Sequence, residues 1–272
     1  MNEKAKKPIV KYAVVISYLA MILVNALANI LPINGLNTGE VSDSFPNLFA
    51  PAGITFAIWG VIYFLLGAYT LYQLGLFQKE KSQSQEELFN YVGTLFVISS
   101  IANTIWIFAW HYKIIGVSLA LMVAILVCLI LINQKTKKAN LTTSQKFFIR
   151  LPFSVYFGWI SVATIANVTT WLVDLGWSGF GVSEVVWTII ILLVGIAIGI
   201  LTVFSNTDIA YGLVFVWAYA GITLKHISPD MFNFQYPLVV YTSMASIVFM
   251  LVAIILVVMK MMKKEKGNLT AM

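Results

Sequence analysis

The chain has 272 residues, of which 60% are hydrophobic and only 10% are charged. A soluble domain of this size carries about a quarter charged residues, so the composition excludes a water-soluble globular protein and points to an integral membrane protein. The net charge of +6 does not indicate a nucleic-acid partner, because the basic residues sit in short runs between apolar segments; the single cysteine, Cys128, excludes a disulfide framework and a thiolate metal site.

Apolar runs predict an all-α protein of about eight transmembrane helices, near residues 9–31, 52–76, 91–112, 114–133, 150–173, 184–204, 208–228 and 237–260. The start combines lysines, an apolar run and Ala26-Leu27-Ala28, as a cleaved signal peptide does. The apolar run is too long for that, and an uncleaved first helix is expected. Between the first two helices, the segment 32–50 is rich in Pro, Gly, Asn and Ser and holds Glu40 and Asp43 but no basic residue. Two readings stand for it, a solvated connector and a lid over an outward-facing pocket.

The second helix opens on Pro51 and then places Phe56, Trp59, Tyr63 and Gly67 at i, i+3, i+7 and i+11, one helical face. Gly67 would let another helix approach closely. In the third, Asn103, Trp106 and Trp110 share a face. Asn103 has two equal readings, a ligand contact or an interhelical hydrogen bond to Asn25 or Asn29. The fourth helix carries little that is polar beyond Ser118 and reads as lipid-facing or packing only. The fifth places Tyr156, Trp159, Ala163 and Asn167 on one face, with Ser161 and Thr164 nearby. An amide and an indole at membrane depth are costly unless they meet a partner, a cavity or a ligand, so this helix is expected to wall a binding site.

The sixth helix contains Gly195 and Gly199 in GxxxG spacing, which marks a close crossing within the chain or between copies in a homo-oligomer. Glu184 and Asp208 bracket it and are expected in the headgroup region. The seventh is short, beginning at Asp208 and ending near Lys225 and His226, so a full span and a re-entrant or tilted segment both stand for it, and the eighth is aliphatic and Met-rich. Lys4, Lys6, Lys7, Lys11, Lys79, Lys81, Lys135, Lys137, Lys138, Lys146, Arg150, Lys260, Lys263, Lys264 and Lys266 fall on one side of this topology, leaving Lys113 and Lys225 for the other. Both termini are therefore expected in the cytoplasm, with an even number of spans.

Three segments resemble the translocator protein family (TspO/MBR, the tryptophan-rich sensory proteins). PAGITFAIWGVIYFLLGAY is similar to its second-helix pattern, SIANTIWIFAW to its third-helix Asn-x-x-Trp, and YFGWISVATIAN to its fifth-helix Tyr-x-x-Trp-x-Ser-x-Ala-Thr-x-x-Asn, all in order over roughly residues 10–173. The resemblance implies a five-helix bundle over 1–173; the three further helices and the basic tail, over 174–272, are read from the apolar runs and have no counterpart in the short family members. The resemblance also implies a pocket under the loop joining the first two helices, lined by Trp59, Tyr63, Asn103, Trp106, Tyr156, Trp159, Ala163 and Asn167. Such a pocket holds flat hydrophobic ligands, tetrapyrroles among them, so no cofactor is required and a porphyrin or haem-like ligand is expected. The proline of the pattern before Trp59 is absent, and Pro152 stands one turn earlier than the pattern's fifth-helix proline. The residues of the proposed sterol motif are missing after Asn167, where the chain reads VTTWLVD, so a sterol is not implied.

No Gly-rich phosphate loop, nucleophile–base pair or metal-ligand spacing is visible, so no enzyme activity is expected. His111 and His226 sit at predicted helix ends, where a solvated role outweighs haem ligation. The expectation is a binding or sensory protein in a bacterial cell membrane, a receptor for a hydrophobic small molecule, with the lipid bilayer as its other partner. A small-molecule transporter, motivated by Glu184 and Asp208, and a permease-like subunit of a larger complex remain as alternatives.

Overall fold

The computed structural model describes residues 3–31, 33–78 and 83–270, with side chains described from Ile9 to Lys263 within those bounds. Lys79 and Lys81 lie outside the described residues, as do the side chains of Lys4, Lys6, Lys7, Lys264 and Lys266. Every regular element described is helical: α1 (Glu3–Ile30), α2 (Thr38–Asp43), α3 (Ile58–Leu74), α4 (Gln83–His111), α5 (Ile115–Lys138), α6 (Thr143–Gln145), α7 (Leu151–Asp174), α8 (Glu184–Asn206), α9 (Ile209–Ile227) and α10 (Pro237–Thr270).

The eight predicted helices are α1, α3, α4, α5, α7, α8, α9 and α10, and several run longer than their apolar cores. α4 starts at Gln83, because the polar residues ahead of its apolar run include the helix formers Gln85, Glu86 and Glu87. Local chemistry sets other ends. Gly75 takes φ 110° to close α3. Thr142 caps the helical run that passes through a π turn, Lys146–Arg150, into α7, whose second residue is Pro152. Ser183 and Asp208 accept from the N–H groups of Val186 and Tyr211, capping α8 and α9.

Seven helical segments among the described residues are long and apolar enough to cross a bilayer, and α9 is not one of them. Its 19 residues reach about 28 Å at 1.5 Å per residue, close to the roughly 30 Å of a hydrocarbon core. Tyr211, Trp217, Tyr219, Lys225 and His226 lower its apolarity rather than its length. The chain is an integral, multi-pass membrane protein of all-α class.

The residues divide into two compact units, 1–46 with 56–175, and 47–55 with 176–272. In the first, α4 packs on α1 and α5, α7 on α5 and α3, and α1 on α3. These contacts close a ring in the order α1–α4–α5–α7–α3. α5 thus lies between α4 and α7, and its Ser118 is completely buried, so the helix expected to carry no chemistry supplies an interior hydroxyl. In the second unit α10 packs on α9 and α8, which also touch each other. Gly199 is buried there against Met250 and Phe215, where an added Cβ would come within 2.7 and 2.8 Å of their side chains. Gly199, the second glycine of the GxxxG spacing, therefore sits at a close contact inside the chain.

Candidate functional site

The interior of the five-helix ring is aromatic, and Trp59 of α3 is its hub. Its ring stacks on Tyr63 at 5.4 Å, one turn along the same face. It lies 6.2 Å from Trp106 of α4, 6.0 Å from Tyr156 and 6.2 Å from Trp159, the last two on α7. Phe56 adds an edge contact to Trp159 at 5.9 Å, and Trp110 stacks on Trp106 at 5.7 Å. Edge-to-face and offset contacts of this kind contribute about 0.5–1.5 kcal/mol each beyond burial. Three helices that make the ring thus each turn an aromatic face to one centre.

The polar atoms of this centre divide into two sets. One set is paired within the protein. Asn25 of α1 donates to the Asn103 amide oxygen at 2.8 Å, and Asn103 in turn donates to the Tyr156 hydroxyl at 3.4 Å. The interhelical role weighed for Asn103 is thus filled, by Asn25 rather than Asn29, whose amide donates to the Asn25 carbonyl. Asn167 is buried, and its oxygen accepts from Ser118 at 2.9 Å. It lies eight residues beyond Trp159, about 12 Å along the helix. Ala163 stands between them on the same face, half-buried.

The other set is unpaired. The indole N–H groups of Trp106 and Trp159 and the hydroxyl of Tyr63 are buried without a hydrogen-bond partner. Both tryptophans are only 3% exposed. Each such donor costs about 1–3 kcal/mol if nothing accepts from it, and an indole can only donate. What the centre offers a ligand is therefore aromatic faces and hydrogen-bond donors.

The first part of the loop between α1 and α3, from Ile33 through α2, packs against the end of α4. Asn37 and Glu40 form a reciprocal capping box that starts α2. Trp110 donates its indole N–H to the Thr38 carbonyl at 3.1 Å, linking this loop to the aromatic that stacks on Trp106. His111 is fully buried, with Nε2 3.3 Å from Thr38 Oγ1 and Nδ1 3.1 Å from the Ile33 carbonyl. His226 is fully buried as well, its Nε2 donating to the Leu48 carbonyl at 2.9 Å. Neither histidine is solvated as its position at a helix end suggests; each pins a loop segment to a helix end. Among the described residues, no group of three or more His, Cys, Asp or Glu is placed to hold a metal ion.

Sequence periodicity identifies the faces of α3, α4 and α7 and leaves Asn25 and Asn29 as candidate partners of Asn103, but it does not single out Ser118 or Tyr18 as partners. Tyr18 of α1 lies over Gly67 and donates to the Tyr63 carbonyl at 2.9 Å, the close approach that a glycine there permits. A family model described as TSPO-like protein matches residues 11–257, which takes in α8, α9 and most of α10 as well as the five-helix ring. No curated protein matches the chain, and no solved structure does.

Proposed function

The chain belongs to the TSPO-like protein family, and on that premise we propose that it is a binding or sensory membrane protein that holds a flat hydrophobic ligand, porphyrin-like in shape, in the aromatic centre of its five-helix ring. The observation that carries this reading is the trio of buried, unpaired donors, Trp106 Nε1, Trp159 Nε1 and the Tyr63 hydroxyl, around the Trp59 hub. Rings give a planar ligand stacking surface, and donors select one bearing carboxylate or carbonyl acceptors over a plain hydrocarbon. Trp59, Tyr63, Trp106, Tyr156 and Trp159 are the contact residues in this reading. Asn103 positions Tyr156, while Ala163 and Asn167 extend the wall along α7.

No residue is asked to make or break a bond, so the proposed role is not enzymatic. The transporter alternative draws on Glu184 and Asp208, and both carboxylates accept from backbone N–H groups, Leu48 and Tyr211 respectively. That engagement gives them structural work and weakens the case for proton coupling. The basic residues point both termini toward the cytoplasm, with Asn167 in the outer half.

The test is a titration of purified protein with protoporphyrin and, separately, with an acceptor-free polycycle such as pyrene. Saturable protoporphyrin binding with much weaker pyrene binding is the expected result. Equal affinity for both would remove the donors from the argument, and no saturable binding of either would end the reading.

A further inference from the structure

The segment 47–55 has no long regular element, yet Asn47 to Ala52 and Thr55 are buried. Buried irregular chain is rare because its backbone polar groups need partners. Here the partners are built in. Asn47 Oδ1 accepts from the N–H groups of Phe49 and Ala50 at 3.1 and 2.8 Å. Leu48 donates to Glu184 Oε1 at 3.1 Å, and its carbonyl accepts from His226 Nε2 at 2.9 Å. Pro51 has no N–H to satisfy. Ala52 donates to the Gly221 carbonyl at 3.0 Å, and the Thr55 carbonyl accepts from the Trp217 indole at 2.9 Å. All of these groups belong to the second unit. Gly221 is needed for the fit: a Cβ there would fall on Thr55 Oγ1, with Thr55 Cγ2 at 2.7 Å and its Cβ at 2.9 Å.

The clasp ends at Thr55, inside the 3-10 turn Gly53–Ala57. The next residue along the chain is Phe56, whose ring lies on Trp159, and the hub Trp59 follows three residues later. We propose that Trp217 and Gly221 are positioning residues for the ligand site, acting through the 47–55 segment that they hold at the entry to α3. This rests on the ligand reading above and gives α8 and α9 a task that the aromatic centre alone does not account for.

Two variants test it in the full-length protein. Gly221→Ala forces Thr55 away, and Trp217→Phe keeps an aromatic ring but removes the donor. Hydrogen exchange followed by mass spectrometry reports on residues 47–55, and a protoporphyrin titration reports on the site. Gly221→Ala is expected to speed exchange in the segment and to weaken protoporphyrin binding about tenfold, by reducing the population of the competent arrangement. Adding Thr55→Gly to Gly221→Ala removes the colliding atoms and restores both readouts to within about twofold, a rescue that general destabilisation would not give. Trp217→Phe, with a smaller effect in the same direction of about threefold, carries the test alone if Gly221→Ala does not fold. Faster exchange with unchanged affinity overturns the positioning role and leaves the ligand reading standing. Unchanged exchange in the variants overturns the clasp. Wild-type protein without saturable protoporphyrin binding overturns the ligand reading, and this inference with it.

Discussion

Replacing Trp159 by phenylalanine separates a binding group from a packing group, because its two effects have opposite signs in the free protein. The side chain is 3% exposed and its indole nitrogen is unpaired. Removing that donor relieves about 1–3 kcal/mol of unmet hydrogen bonding. The smaller ring also gives up volume and part of its edge contacts with Phe56 and Trp59, at 5.9 and 6.2 Å, a loss of about 1–3 kcal/mol. The two offset, so stability should change by no more than about 1 kcal/mol, against the roughly 3–5 kcal/mol of an ordinary buried Trp→Ala truncation. With ligand bound, the indole donates to an acceptor, a bond contributing about 1–2 kcal/mol, and its loss weakens affinity about five- to thirtyfold. With eight tryptophans in the chain, emission reports no single site, so the titration should follow the absorbance of added protoporphyrin, alongside thermal unfolding. Trp171→Phe, at an exposed position on the same helix, should leave affinity unchanged. An affinity for Trp159→Phe within twofold of wild type would refute the reasoning. So would a stability loss above about 3 kcal/mol, since that would mark the indole as paired and tightly packed.

Other substitutions probe the frame around the site. Gly67→Ala drives a methyl onto Tyr18 Oη, with Cζ at 3.2 Å, and should cost about 1–3 kcal/mol by overpacking despite alanine's better helix propensity. In a Tyr18→Phe background the cost should fall to near zero; an equal cost in both backgrounds would show that the phenol is not what Gly67 accommodates. Ser118→Ala leaves the Asn167 oxygen without its donor and should lower unfolding stability by about 0.6–2 kcal/mol. Its protoporphyrin affinity should hold, and a tenfold loss would place Asn167 in direct ligand contact. Gly199→Ala meets Met250 at 2.7 Å and Phe215 at 2.8 Å, with an expected loss of about 1–3 kcal/mol. A changed oligomeric state at unchanged stability would instead place this glycine at an interface between copies.

How much was legible in sequence depends on the range over which each feature is decided. Helix positions and inward faces follow from local spacing: Trp59 with Tyr63, Asn103 with Trp106, and Tyr156 with Trp159 repeat at three or four residues, and the structure turns these faces together. Composition and run length alone identify the membrane, because lipid demands long apolar helices whatever their partners.

Partners are another matter. Asn103 meets Asn25 across 78 residues, Asn167 meets Ser118 across 49, and His226 meets Leu48 across 178. A polar residue in an apolar helix announces that it needs a partner, but nothing in its own neighbourhood says which one. Hence one amide could be read equally as ligand contact or helix bond, and two buried histidines as solvated ends. Residue type and helical spacing show which side chains are costly at membrane depth. Which of those costs are met inside the protein, at Asn103 and Asn167, and which stay open at Trp106, Trp159 and Tyr63, emerges only in the folded bundle, because a hydrogen bond is settled by distance in space and not along the chain.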